Sequence, residues 1–393
     1  MFDLASQLLA RKKAGLYRSR LTSSSPQGVH VEIDGKEYLS FCSNDYLGLA
    51  AHPQLIHAIC ECASSWGAGA GASHLLGGHS EPHEMLEQAL AAFMGTDRAL
   101  LFSTGYMANL AVLTALVGRG DVIHQDRLNH ASLIDGALLS RASLKRYRHA
   151  DMQDLQGQLA NITADRRIVA SDGVFSMDGD LAPLTQILEL CRNNGALCYV
   201  DDAHGFGVLG DKGRGIVEVN NVSCRDYDDG HLLSMCTLGK AMGSFGAFVA
   251  GSDEIIETLI QHGRSYIYTT ALPPAIAAAS YAALEVISAE GWRRQKLTGL
   301  VDYFRSACQQ RNSPVMDSSS PIQPVLIRDN DQAVAIAERL KQLGLLVFAI
   351  RSPTVAAGSE RLRITLSAAH KETDIDALLD ALANIMDDLS AVS

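Results

Sequence analysis

Lys240 stands in Thr237-Leu-Gly-Lys240-Ala-Met-Gly243, just after an apolar run, where glycine and small residues leave little bulk between its amine and a ligand. Desolvation in such a pocket favours the neutral amine, which makes this lysine a candidate nucleophile toward a carbonyl group. A solvated loop lysine is the plainer reading of the segment alone. Ala196–Val200 has the pattern of a buried strand and ends abruptly in Asp201-Asp202-Ala203-His204-Gly205. Two acids and a histidine at the carboxyl end of a central strand are costly unless they bind something. A helix cap or a buried ion pair would explain them as well, and an aspartate here could also hold the N–H of a pyridinium ring.

Phe102-Ser-Thr104-Gly105-Tyr106 runs from a strand into an apolar helix, and the free amides and dipole of such a helix start suit a phosphate, although structural turns look the same. Thr237 and Ser176, the latter in Gly173-Val-Phe-Ser176-Met-Asp178-Gly179, could add hydroxyl contacts. Arg361-Leu-Arg363-Ile-Thr365-Leu alternates, which places both arginines and the threonine on one face. One arginine could fork onto a carboxylate. The solvated face of an edge strand is the plainer reading. Two tempting motifs fail: Gly67-Ala-Gly69-Ala-Gly71 follows a helical pattern rather than a strand, and His79-Ser-Glu-Pro-His83 has the wrong order and a proline where a zinc-binding helix should run. Those histidines read as structural.

The elements that must position these residues follow from periodicity. Candidate strands are Ala99–Phe102, Asp121–His124, Leu144–Tyr147, Ile168–Ala170, Leu197–Val200, Leu232–Cys236 and Phe245–Ala250. Leu86, Ala89, Leu90 and Phe93 recur at helical spacing, in a helix that opens at Ser80 and Pro82 and stops at Gly95; further helices are expected at 105–117, 151–160, 184–193 and 252–262. The alternation predicts an α/β fold with a mostly parallel central sheet and helices on both faces, ligands gathering at the carboxyl ends of its strands. After Pro273-Pro274 come a long Ala-rich helix, the short strands Gln323–Ile327 and Leu346–Ala349, the Arg361–Leu366 segment and a closing helix from about Thr373. The expected division is an N-terminal helix and small-domain segment at 1–45, a large domain at 46–284 and a smaller α+β domain at 285–393.

Composition narrows the function. The chain has 393 residues, 33 Lys and Arg against 44 Asp and Glu, and 47% hydrophobic residues, so it is globular and acidic. An acidic chain argues against a general affinity for nucleic acid and points to a small-molecule partner. Eight scattered cysteines, at 42, 60, 62, 191, 198, 224, 236 and 308, have no metal-like spacing and read as reduced, mostly buried thiols of a cytosolic protein. Two uncharged stretches, Ala99–Gly118 and Ser265–Leu284, are broken by Ser103-Thr104-Gly105 and Pro273-Pro274, so no membrane span is expected. Arg11, Lys12, Lys13, Arg18 and Arg20 near the start have the composition of an organelle transit segment, but an amphipathic helix with Leu4, Leu8 and Leu9 on one face is the plainer reading.

Taken together, the ordered set is more specific than its parts. Ser43-Asn44-Asp45-Tyr46-Leu47-Gly48, Phe102-Ser-Thr-Gly-Tyr-Met-Ala-Asn109, Asp126-Arg-Leu-Asn-His130-Ala-Ser132, Asp201-Asp-Ala-His-Gly205, Thr237-x-x-Lys240 and Arg351-Ser-Pro-Thr354 resemble, over nearly the whole chain, the α-oxoamine synthases among the fold type I pyridoxal-phosphate (PLP) transferases. Members condense an amino acid with an acyl thioester and lose CO2. The resemblance implies PLP as cofactor and no metal, with Lys240 joined to it covalently, His130 stacked on its ring and Asp201 paired with its ring nitrogen. It further implies that His204 and Ser176 reach the ring hydroxyl side, that Gly105, Tyr106 and Thr237 hold the phosphate, and that Thr270 arrives from a second subunit.

For substrates it implies Arg363 on the amino-acid carboxylate with Asn44 beside it and Arg361 in reserve, and contacts from Arg18, His130 and Thr354. The branch it resembles most takes L-alanine and pimeloyl-CoA or pimeloyl-acyl carrier protein, in biotin biosynthesis, as a cytoplasmic homodimer with shared active sites. The sequence departs from that branch at Ser352 and Ala356, where prolines are usual. A sister synthase such as glycine C-acetyltransferase, or an inactive subunit of the same fold, are the other readings; an intact Lys240, Asp201 and His130 speak against the second.

Overall fold

Strands β1 (His30–Ile33) and β2 (Lys36–Ser40) pair as a hairpin. Its two-residue turn, Asp34-Gly35, has both φ values positive, the geometry that keeps the twist of two antiparallel strands. The molecule is described here from a computed structural model covering residues 2–14, 16–161, 164–223 and 225–392, so Cys224 lies outside the described residues.

Seven strands follow: β3 (Arg98–Phe102), β4 (Val122–Asp126), β5 (Ser143–Tyr147), β6 (Arg167–Asp172), β7 (Leu197–Asp201), β8 (Leu232–Thr237) and β9 (Ala247–Gly251). They form one sheet in the order β3-β9-β8-β7-β6-β4-β5, with β9 antiparallel to both neighbours and every other pair parallel. Each expected strand is present, displaced by at most two residues at an end. Parity sends alternate side chains to opposite faces. Ala99, Leu101, Cys198, Val200, Leu232 and Cys236 join one core, and Leu100, Phe102, Tyr199, Leu233 and Met235 join the other. Both faces are therefore covered, which explains why the strands read as continuous apolar runs.

The helices start and stop where local chemistry dictates. Glu81–Met94 opens at Ser80 and closes at Gly95, whose φ of 74° suits a residue without a side chain. His83 holds that start: its Nδ1 accepts the Ser80 N–H at 3.1 Å, while Nε2 reaches the Leu272 carbonyl at 2.5 Å. The N-terminal helix, Leu4–Lys13, forms as expected, but its apolar face does not pack: Leu4, Leu8 and Leu9 are half exposed and no residue of the helix is buried. No helix among the described residues is long and apolar enough to cross a membrane.

Two smaller sheets complete the fold. β10 (Ile322–Leu326), β11 (Leu345–Leu346), β12 (Phe348–Ile350) and β13 (Arg361–Thr365) arrange as β1-β2-β11 and β10-β13-β12. The single strand expected at Leu346–Ala349 is thus two short pieces in different sheets. The plainer reading of the Arg361–Thr365 segment, a solvated edge strand, is also corrected: β13 is central, antiparallel to both neighbours, and Arg361 is buried. Through β11 on β2, and through Thr365 N–H on the Phe41 carbonyl at 2.8 Å, the last hundred residues are laced to the first forty-odd.

Candidate active site

The carboxyl ends of β3, β4, β6, β7 and β8 converge on a cavity of about 190 Å³ lined by Gly105, Tyr106, Asn109, His130, Ser132, Asp172, Ser176, Asp201, His204, Thr237 and Lys240, among others. Each strand contributes through its carboxyl end or the loop that follows it, as parallel α/β sheets do. Parity explains which acid enters. Asp201 continues the face of Leu197 and Tyr199, against the helix Gly105–Leu116, whereas Asp202 turns to the opposite face. There Asp202 Oδ2 accepts the Ile216 N–H at 2.7 Å, and a Cβ on Gly205 or Gly215 would come within 2.1 and 1.8 Å of its carboxylate. Asp202 is therefore a structural acid in a glycine cage. Burial raises its pKa well above the ordinary range, the Asp201 charge adding to the effect.

Asp201 is held by one side chain that the sequence reading quoted but gave no role, Asn109. Its Nδ2 donates to Asp201 Oδ2 and to Ser132 Oγ, both at 2.7 Å, and its Oδ1 accepts the Tyr199 hydroxyl at 2.5 Å. Asn109, Ser132 and Tyr199 are all fully buried. Ser132 then spends its own proton on His130 Nδ1 at 2.7 Å, which also accepts the Ser132 N–H at 3.3 Å; that leaves the His130 proton on Nε2. The signal for Asn109 was one amide in an otherwise apolar helix, and sequence does not say which strand residues it faces.

Lys240 Nζ lies 2.7 Å from His204 Nε2, and His204 Nδ1 lies 2.6 Å from the Tyr46 hydroxyl. Burial pushes the Lys240 amine down to about 8, against the pull of Asp201 and Asp172. Burial and the neighbouring Lys240 charge also hold His204 well below its ordinary value, so His204 is neutral and accepts from the lysine. Asp172, an acid the sequence reading missed, accepts the His130 N–H at 3.1 and 3.2 Å on its two oxygens. Its burial and the charge of Asp201 raise its pKa well above the usual carboxylate range.

Arg363 Nε donates to the Ser176 carbonyl at 2.7 Å and its Nη2 to Asn44 Oδ1 at 3.2 Å, which brings β13, the Ser176 loop and Asn44 together. Arg361 is spent elsewhere, on Asp178 at 2.5 Å. Thr104 caps the helix Gly105–Leu116 by accepting the Met107 N–H at 3.2 Å, and the first amides of that helix have no intrahelical acceptor. Tyr106 hydrogen-bonds Asp135, and Thr237 Oγ1 donates to the Gly246 carbonyl at 3.1 Å. The structure thus gathers Gly105, Tyr106, His130, Ser176, Asp201, His204, Thr237 and Lys240 around the cavity, with Arg363 and Asn44 joined at the Ser176 loop. Arg18, Thr270 and Thr354 are exposed and do not line it.

The donor set suits an anionic pyridine aldehyde: helix amides at one end, the Asp201 carboxylate and an imidazole along the ring, and a depressed amine at the other end. This fold and site define a PLP-dependent enzyme. The family model for class I and II aminotransferases matches residues 36–382. An 8-amino-7-oxononanoate synthase from Cellvibrio japonicus (strain Ueda107) is 53% identical over 98% of this chain and 95% of its own. Among solved structures, a serine palmitoyltransferase from S. paucimobilis with PLP bound superposes with a TM-score of 0.91 at 28% identity, over 99% of this chain and 98% of the other. An 8-amino-7-oxononanoate synthase from Francisella tularensis matches with a TM-score of 0.78 at 31% identity, over 90% of this chain and 99% of the other. The chain belongs to the class I and II aminotransferase family and, within it, to the 8-amino-7-oxononanoate synthases.

Proposed function

We propose that this chain joins L-alanine to a pimeloyl thioester, on coenzyme A or acyl carrier protein, releasing CO2 and the free thiol and yielding 8-amino-7-oxononanoate for biotin synthesis. The observation that carries the reading is Lys240 itself, an amine depressed to about 8 by burial, within 2.7 Å of a neutral imidazole and in the cavity that Asp201 enters. PLP supplies an electron sink that lets a carbanion form beside nitrogen. In this reading Lys240 would hold the cofactor, and its amine, depressed to about 8, would serve as the base toward the amino acid's Cα proton. Asp201, oriented by Asn109, would pair with the ring nitrogen, and His130, fixed by Ser132, would cover the ring face. The amides of Gly105 and Tyr106, with Thr237, hold the phosphate; Ser176 and His204 serve the ring hydroxyl side. Arg363 and Asn44 clamp the alanine carboxylate, while Arg18 and Thr354 meet substrate at the rim.

Thr270 enters the site of a second copy in this reading, so the working unit is a cytoplasmic homodimer with shared sites. The division is an N-terminal helix and small-domain segment at 1–45, a large domain at 46–284 and a smaller domain at 285–393, with β2 pairing β11. Exposed Leu138, Leu139 and Tyr268, at 64%, 61% and 72%, lie on segments next to His130 and Thr270 and provide apolar surface for that partner copy. The test is a panel of amino acids and acyl donors with mass spectrometry of the product. Turnover of alanine with a pimeloyl thioester to a product one CO2 lighter than the sum minus thiol supports it; equal or better turnover of glycine with acetyl-CoA overturns it.

A further inference from the structure

His149 follows β5, outside the cavity lining, and both of its ring nitrogens end on carboxylates. Nδ1 lies 3.1 Å from each oxygen of Asp126, and Nε2 lies 2.8 Å from Asp180 Oδ2. A carboxylate only accepts, and a neutral imidazole donates from one nitrogen alone, so this geometry is satisfied by the doubly protonated ring. Phe175 closes over it edge-on, with ring centroids 4.4 Å apart. Burial opposes the charge, but the two acids outweigh it and push the histidine up to about 10.

Each acid controls a loop that reaches the site. Asp126 ends β4; its carboxylate accepts the N–H groups of Leu128 and Ala150, both at 2.8 Å, and its carbonyl accepts the Asn129 N–H at 3.2 Å. The next residue is His130. Asp180 closes the other loop, its carbonyl accepting the Phe175 N–H at 3.0 Å while the Gly179 N–H meets the Phe175 carbonyl at 2.7 Å. That loop presents Ser176, whose carbonyl orients Arg363.

We propose that His149 is a positioning residue: its imidazolium ties the turn that delivers His130 to the loop that delivers Ser176 and orients Arg363, and so sets the spacing between the cofactor's stacking face and the amino-acid carboxylate clamp. The proposal rests on the roles given above to His130 and Arg363. It predicts a selective defect. Losing the tie loosens the cofactor and the amino acid together, while the acyl donor, which the proposal assigns to neither loop, keeps its affinity.

The experiment uses purified holoenzyme with His149→Phe, Asp180→Asn and the double variant, measuring the PLP dissociation constant and the separate KM values for alanine and the acyl thioester. Each single variant should raise the PLP dissociation constant and the alanine KM about tenfold, keep the thioester KM within twofold, and be no better than the double variant by more than twofold, since both break one tie. Variants that unfold at lower temperature yet keep both constants within twofold of the parent overturn the proposal. So does a uniform rise in all three constants. If the His149→Phe chain does not fold, nitrogen-15 spectra of the unaltered holoenzyme at pH 8 decide: two protonated ring nitrogens on His149, assigned through their loss in His149→Gln, support the tie, and a singly protonated ring overturns it. Failure of the functional reading would instead appear as no alanine-dependent turnover in the parent enzyme.

Discussion

Lys240 and Arg363 are joined by one continuous hydrogen-bonded path. Lys240 Nζ meets His204 Nε2 at 2.7 Å, His204 Nδ1 meets the Tyr46 hydroxyl at 2.6 Å, Tyr46 donates to Asn44 Oδ1 at 3.3 Å, and Arg363 Nη2 donates to the same oxygen at 3.2 Å. With His204 neutral, the donors run in one direction from the lysine: Lys240 to His204, His204 Nδ1–H to Tyr46, Tyr46 to Asn44. The group that attacks a carbonyl and the group that holds a carboxylate are thereby linked through the buried Tyr46 and half-buried side chains from four distant segments.

The depressed amine sets a pH dependence with a definite sign. Only the neutral form of Lys240 attacks an aldehyde, so capture of PLP by the apoprotein accelerates as pH rises and levels off above about 8. A solvated lysine would keep accelerating to about pH 10.4. Stopped-flow absorbance of the lysine-bound chromophore between pH 6 and 10 distinguishes the two profiles.

Asn109→Leu removes the donor to Asp201 and Ser132 and the acceptor for Tyr199, while keeping much of the volume. Leaving such buried polar groups unpaired costs about 1–3 kcal/mol. Urea unfolding of the apoprotein should show a loss of that size, and the holoenzyme should bind PLP more weakly because Asp201 is no longer oriented.

The two arginines of β13 should separate cleanly. Arg363→Lys keeps the charge but not the fork, and is expected to raise the alanine KM by about a hundredfold, some 2.7 kcal/mol, with little change in stability. Arg361→Ala strands the half-buried Asp178 and removes the partner of an ion pair whose arginine is buried, a change that costs up to about 3–5 kcal/mol. Its signature is therefore a lower unfolding midpoint rather than a selective effect on alanine. Steady-state kinetics and thermal unfolding of both variants check the contrast.

A dimer that shares its sites makes activity depend on apolar surface. Leu139→Asp places a charge on a side chain that is 61% exposed in the single chain, so it should leave the monomer folded. Sedimentation should then show a shift toward monomer, with activity falling in parallel and recovering at high protein concentration.

Much of this was legible in the residues. The apolar runs of the central sheet are strong because both faces are covered, and the ends at Phe102, Asp126, Asp172, Asp201 and Thr237 are where the polar residues of the site begin. Lys240 and Asp201 stood out because their chemistry is conspicuous at strand ends, whereas His130 was singled out only through the family resemblance. Asn109, Asp172 and Tyr46 did not, since their meaning lies in which distant partner they face, and neither periodicity nor spacing encodes that. The plainer reading of Arg361–Thr365, a solvated edge strand, fails for a similar reason: alternation shows that a strand has two faces, but not that strands on both sides will cover its edges. The N-terminal helix shows the converse, a legible amphipathic pattern whose leucines stay about half exposed.

The claim on which the account depends is that one amine, Lys240, carries the cofactor. Reduction of the PLP-loaded protein with borohydride, digestion and peptide mass spectrometry tests it directly. The account predicts a pyridoxyl-phosphate mass increment on the peptide containing Lys240 and on no other, lost in Lys240→Ala together with the visible chromophore. An unmodified Lys240 peptide, or the increment on a different lysine, contradicts it.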